Sequence, residues 1–126
     1  METEPNQSHR DAPTRAFAFA VHVAKFCEEL AAAPGAKRIL AGRLLRFGVS
    51  LGANLEQAQA AESLDEFLRS MTAALKLARE TRYWLRVARA AEYGPAERIT
   101  PLFDDVHALA HSLATILREE KEKYGL

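Results

Sequence analysis

One cysteine, Cys27, stands in the 126 residues of this chain. A single thiol excludes an internal disulfide and a Cys-rich zinc site. It reads as a small apolar helix residue in a reducing compartment. Long apolar runs are missing as well: nothing approaches the ~20 consecutive apolar residues that a membrane-spanning helix needs. Neither charge sign is in excess, with Lys+Arg and Asp+Glu at 17 each, so no global field draws the chain to nucleic acid or to a membrane. Period-two alternation is absent, which argues against strands. The chemistry motifs are missing too: there is no phosphate-binding Walker loop, no dinucleotide glycine fingerprint and no Gly-x-Ser-x-Gly elbow. Cys27 has no evident His partner, and Ser50 lies in a helix interior, a poor place for an exposed nucleophile. The sequence therefore predicts no catalytic residue and no cofactor. The stretch Met1-Glu2-Thr3-Glu4-Pro5-Asn6-Gln7-Ser8 is acidic and polar, whereas a secretory signal begins basic and turns apolar. Residues 1–11 are expected to form a disordered leader, residues 12–126 a single domain, and the protein to be cytoplasmic.

What is present is helical. Hydrophobic residues make up 48% of the chain, enough for a core. Strong breakers occur at Pro34-Gly35 and Gly94-Pro95, and Ser63-Leu64-Asp65-Glu66 has the pattern of a capping box. Four helical stretches follow: about 12–33, 36–62, 64–93 and 101–123, the last opened by Thr100 as N-cap with Pro101 in first position. A short turn is expected over 95–99. The core stripes are Phe19, Val23, Phe26 and Leu30; Leu40, Leu44, Phe47, Leu51, Leu55 and Ala58; Phe67, Met71, Ala74, Leu75, Ala78 and Leu85; and Leu102, Val106, Leu109, Leu113, Ile116 and Leu117. Short links between long helices predict an all-α, antiparallel up-down-up-down four-helix bundle. The first and third helices carry extra apolar positions, Phe17, Val21 and Ala24 on one and Leu77, Trp84 and Val87 on the other. This surplus implies a homo-oligomer, or else simply wide stripes.

The second helix contains the least expected residues. Gly48, Ser50, Gly52 and Asn54 fall in its interior, where each Gly costs roughly 0.8–1 kcal/mol against Ala. Gly48 and Gly52 are one turn apart, so they share a face that another backbone can approach. A buried Asn54 needs a partner, and Glu80 on the third helix is a candidate, within one chain at different levels or across subunits. Two readings of Asn54 stand: a polar site, or a structural polar layer that fixes helix register. Tyr83 and Trp84 face different directions, one toward the core and one toward an interface.

These residues carry a resemblance. The pattern Leu44-Leu45-Arg46, Gly48, Ser50, Gly52-Ala53-Asn54, Glu62-Ser63, Glu66-Phe67, Ala73-Ala74-Leu75-Lys76 and Glu80-Thr81-Arg82-Tyr83-Trp84-Leu85 resembles the bacterial four-helix-bundle proteins found within intervening sequences of large-subunit ribosomal RNA genes. A related branch, the accessory variability determinant proteins of diversity-generating retroelements, is basic and binds nucleic acid. With the flanking helices the resemblance covers nearly all of the chain after residue 13. It implies a homopentamer as the assembly, and RNA or an RNA-handling protein as the partner.

Charge is uneven along the chain. Residues 37–89 carry ten Lys and Arg against five Asp and Glu, while residues 90–126 carry four against seven. Arg79, Arg82, Arg86 and Arg89 form a basic stripe on the third helix. It is a candidate contact for nucleic acid or a partner protein, since Arg pairs with phosphate and stacks on bases. The alternative is ion pairing with Asp104, Asp105, Glu119 and Glu120 of the fourth helix or with a neighbouring subunit. His107 and His111, with Asp104, have metal-compatible spacing. However, Ala108 stands where a zinc-protease motif requires Glu, and a di-iron bundle requires a Glu-x-x-His on each of two helices. No metal site is expected. The sequence thus reads as a non-enzymatic oligomeric scaffold or adaptor that meets RNA or an RNA-handling protein. A pure protein-interaction module stands as the alternative, favoured by the neutral net charge, and a metal-binding bundle as the third.

Overall fold

A computed structural model describes the backbone from Gln7 and the side chains from Asp11 to the end of the chain. The described residues form four helices and no strand: α1 (Gln7–Ala31), α2 (Ala36–Gln59), α3 (Leu64–Ala90) and α4 (Ala96–Lys123). At 1.5 Å per residue they are about 36–42 Å long. Each helix packs against two neighbours in the cyclic order α1, α2, α3, α4, and the diagonal pairs α1/α3 and α2/α4 do not approach. All four enclose one core. Phe19, Val23, Leu44, Leu51, Leu85, Ile99, Val106, Leu109 and Leu113 are fully buried there, each from an expected stripe except Ile99. Phe47 and Phe67, expected in the core, are only half-buried.

Contacts between helices are specific. A Cβ built on Gly48 would lie 3.1 Å from Val23 Cγ1, and one built on Gly52 would lie 3.7 Å from the Ala16 carbonyl oxygen, so α1 is the helix that both glycines admit. Between α1 and α4, Arg15 Nη1 donates to Ser112 Oγ at 3.4 Å, and Arg98 pairs with Glu29 at 3.0 Å.

Helix ends follow the sequence in the middle of the chain and depart from it at both starts. Ser63 caps α3 by accepting from the Glu66 N–H at 3.1 Å. Glu66 reaches back to the Glu62 N–H at 3.1 Å, one residue before the cap whose N–H the usual box satisfies. Gly35, at φ 80°, occupies the N-cap of α2, a conformation that L side chains avoid. The expected start of the first helix at Ala12 is too late: α1 begins at Gln7 and runs through Pro13. Pro13, seventh in the helix, removes the backbone donor that would bond the carbonyl of residue 9. The turn is anchored, because Ala12 and Ala16 are buried and Ala12 and Pro13 border a cleft with Leu55 and Ile116. The remainder of the expected leader, residues 1–6, lies outside the described residues.

Thr100 is likewise inside α4, not at its cap. Pro95 is the N-cap, and the expected turn over 95–99 is continuous with the helix. Complete burial of Ile99 holds that extra turn against the core. The first two helices also stop short of expectation, at Ala31 and Gln59, and α3 stops at Ala90.

Candidate functional site

The third helix turns its arginines toward α4. With a step of three or four residues, Arg79, Arg82, Arg86 and Arg89 repeat once per turn on one side of α3. Arg79, Arg82 and Arg86, with Tyr83, form one wall of an open depression of about 580 Å³, and Phe103 and His107 of α4 form the other. No carboxylate is among its lining residues.

The contacts inside this cluster are defined. Arg82 Nη1 lies 3.3 Å from His107 Nδ1. A guanidinium only donates, so this contact holds Nδ1 as the acceptor. The His107 ring stacks on Phe103, with centroids 5.9 Å apart and planes 11° apart. The Arg89 guanidinium sits over the Phe103 ring at 4.3 Å, a cation–π contact. Tyr83 projects outward, 55% exposed, and meets Trp84 edge to face at 5.5 Å. Trp84 is half-buried and donates from Nε1 to Glu80 Oε2 at 3.1 Å, one turn back.

Among the described residues, ion pairs join Arg69 to Asp65, Arg98 to Glu29 and Arg118 to Glu122, and none joins Arg79, Arg82, Arg86 or Arg89 to a carboxylate. Within the chain, pairing of this stripe with the acids of the fourth helix is therefore not the arrangement seen. Four positive charges remain on one side of a chain whose formal net charge is zero.

The α2 motif lies elsewhere. Asn54 Nδ2 donates to the Ser50 carbonyl at 3.0 Å, so the Asn finds its partner one turn back on its own helix. Glu80, the partner considered for it, is engaged by Trp84. Asn54 and Gln57 border a shallow groove with Glu66, Arg69 and Ser70 of α3. Gly48, Ser50, Gly52 and Asn54 thus serve the α1/α2 contact and the local hydrogen bonding of α2, and the structure does not bring them to the arginine stripe.

His107, considered as a metal ligand, is turned toward Arg82 and Phe103, and His111 is exposed. Among the described residues, no three His, Cys, Asp or Glu side chains gather as a metal would require. Cys27 is buried, and desolvation pushes its thiol up to about 11 from an ordinary 9.0. The thiol stays protonated and unreactive at neutral pH.

Sequence reasoning found the arginines but left Tyr83, Phe103 and His107 out of the site. Spacing gave little signal: Arg89 lies two residues before the turn at 91–95 while Phe103 lies eight after it, and only Arg82 and His107, nine before and twelve after, are roughly matched.

A family model described as 23S rRNA-intervening sequence protein matches residues 10–115. Among solved structures, the chain is similar to a protein of unknown function from the S23 ribosomal protein family of Bacteroides thetaiotaomicron. The two share 26% identity at a TM-score of 0.79, covering 89% of this chain and 99% of that one. No curated protein matches. No described helix is long and apolar enough to cross a membrane. The family match covers most of the chain, including all of α2 and α3 with their glycine and arginine motifs, and on that ground the chain belongs to the 23S rRNA-intervening sequence protein family.

Proposed function

We propose that this protein is a non-enzymatic, cytoplasmic, homo-oligomeric helical scaffold whose α3–α4 face contacts RNA. One observation carries the reading: three arginines without carboxylate partners converge with two aromatic rings and an imidazole on one open depression. Arginines adjoining aromatic rings are the usual means of holding a phosphate backbone and exposed bases together. The matched family is described by an association with ribosomal RNA genes, which fits the reading. The bundle is taken as antiparallel throughout. The pairs Val23 with Gly48, Ala16 with Gly52, Glu29 with Arg98, and Arg82 with His107 support that order. A pentamer is the assembly that the sequence resemblance implies.

Binding of the full chain to structured RNA across a salt series tests the function. Affinity is expected to fall steeply with salt, with a log–log slope of roughly −0.7 to −0.9 per phosphate neutralised. Replacing Arg79, Arg82 and Arg86 together with Gln flattens that slope and weakens binding, with helicity unchanged. An unchanged affinity would make the stripe structural.

A second reading, a protein-interaction module without nucleic acid, is favoured by the exposed Phe17, Val21, Leu45 and Val49 and by the zero net charge. Nuclease treatment before a pull-down separates the two, because an RNA-bridged partner is lost on digestion and a direct one is kept.

A further inference from the structure

The geometry points to the depression between α3 and α4 as a seat for one unstacked nucleotide, with its phosphate on the arginines and its base on Tyr83. This rests on the RNA reading above and names what part of the RNA the site takes.

The two walls differ in what they leave available. Phe103 is already used: Arg89 lies over its ring at 4.3 Å, and His107 stacks on it with planes 11° apart. Arg82 is held by His107 at 3.3 Å. Arg79 and Arg86 have no carboxylate partner among the described residues, so their planar donor forks are available to a phosphate. Tyr83 stands between them in sequence and is 55% exposed. Trp84 meets Tyr83 at 72°, edge to face and not stacked, and is itself tied to Glu80, so a Tyr83 ring face is left uncovered. An aromatic face beside arginine forks is the arrangement that takes a splayed-out base and its phosphate.

Size and charge agree. The depression of about 580 Å³ falls within the range of small-ligand clefts, about 300–1,000 Å³. None of its lining residues is a carboxylate that would repel a phosphate. An intact duplex keeps its bases stacked, so it offers the arginines a backbone and offers Tyr83 nothing.

The test uses the full-length chain, a short single-stranded oligouridylate, an RNA duplex of equal length, and UMP as competitor. The single strand is expected to bind more tightly than the duplex. Tyr83→Ala should weaken the single strand by roughly 5- to 150-fold, the range for one stacked base, and leave duplex binding unchanged. Tyr83→Phe keeps the ring and should keep the affinity. Arg86→Gln should weaken both probes. Competition by UMP at nucleotide-equivalent concentrations identifies the free nucleotide as the ligand, and competition only in large excess identifies the strand; both place a nucleotide in the seat. Equal binding of strand and duplex with no effect of Tyr83→Ala overturns the seat while leaving an RNA-binding stripe in place. No binding of either polymer at low salt overturns both readings.

Discussion

Gly48 and Gly52 occupy one face of α2, and the same substitution at the two sites should have opposite effects. Ala in place of an interior Gly gains roughly 0.8–1 kcal/mol of helix propensity at either position. At Gly48 the added Cβ meets Val23 Cγ1 at 3.1 Å, and Val23 is fully buried. A β-branched side chain locked in a close-packed core cannot turn aside, and overpacking of this kind costs typically 1–3 kcal/mol. The crowding therefore outweighs the propensity gain, and Gly48→Ala is expected to destabilise by roughly 1 kcal/mol. At Gly52 the nearest atom, the Ala16 carbonyl oxygen, is 3.7 Å away, an ordinary contact. Gly52→Ala is expected to stabilise by up to about 1 kcal/mol. Chemical denaturation of the two variants in parallel checks the pair, and matching signs would refute this account. The spacing of the glycines was legible in the sequence. The difference between them was not, because it depends on which residue of α1 stands opposite each.

At the level of the element, the end of α3 holds an unfavourable residue. The Tyr93 N–H bonds to the Ala88 carbonyl at 2.9 Å and the Glu92 N–H to the Arg89 carbonyl at 3.1 Å, the two bonds of a Schellman motif. The residue that must be left-handed there is Glu92, at φ 59°. At the end of α4 the same motif uses Gly125, at φ 71°, with Leu126 bonded to the Lys121 carbonyl at 2.7 Å. Left-handed backbone costs an L residue roughly 1–2 kcal/mol, part of which Gly returns through its freer unfolded chain. Glu92→Gly is expected to raise stability by roughly 0.5–1 kcal/mol, seen as a higher Tm. No change in Tm would mean that the turn relaxes without strain. This cap also explains why α3 ends earlier than the sequence implied. Gly94 looked like the helix stop, yet it has no positive φ, and a Cβ there would sit 3.4 Å from Phe26 Cε1. It admits Phe26, and the stop lies two residues earlier. Ser63 was readable because its hydroxyl acts locally. The start of α4 was not, because burial of Ile99 by distant helices extends that helix back past Pro101.

For the whole molecule, the arrangement of the bundle decides which faces are available to others. The arginine spacing on α3 could be read from the chain, but the site depends on α4 packing against α3 so that Phe103 and His107 meet Arg89 and Arg82. That pairing is a consequence of topology, which helical periodicity alone does not supply. The same topology leaves apolar side chains outside the core on α1 and α2: Phe17 is 63% exposed and Val49 45%. Phe17 follows Ala16, whose carbonyl faces Gly52, so the exposed apolar positions of the two helices flank the glycine contact. Exposed apolar residues concentrated on one helix pair are costly to leave in water and characteristic of an association surface. Self-association through this surface would leave the α3–α4 depression on another side of each bundle, open to RNA in every copy. Phe17→Glu combined with Val49→Glu places charge on that surface without touching the core, so helicity should be kept and bundle stability changed by only about 0.5 kcal/mol. Light scattering should then report a mass falling from a multiple of the 14.0 kDa chain toward a single chain. An oligomer of unchanged mass would move the interface to another face, and a wild-type chain already at the mass of one copy would end the oligomer reading.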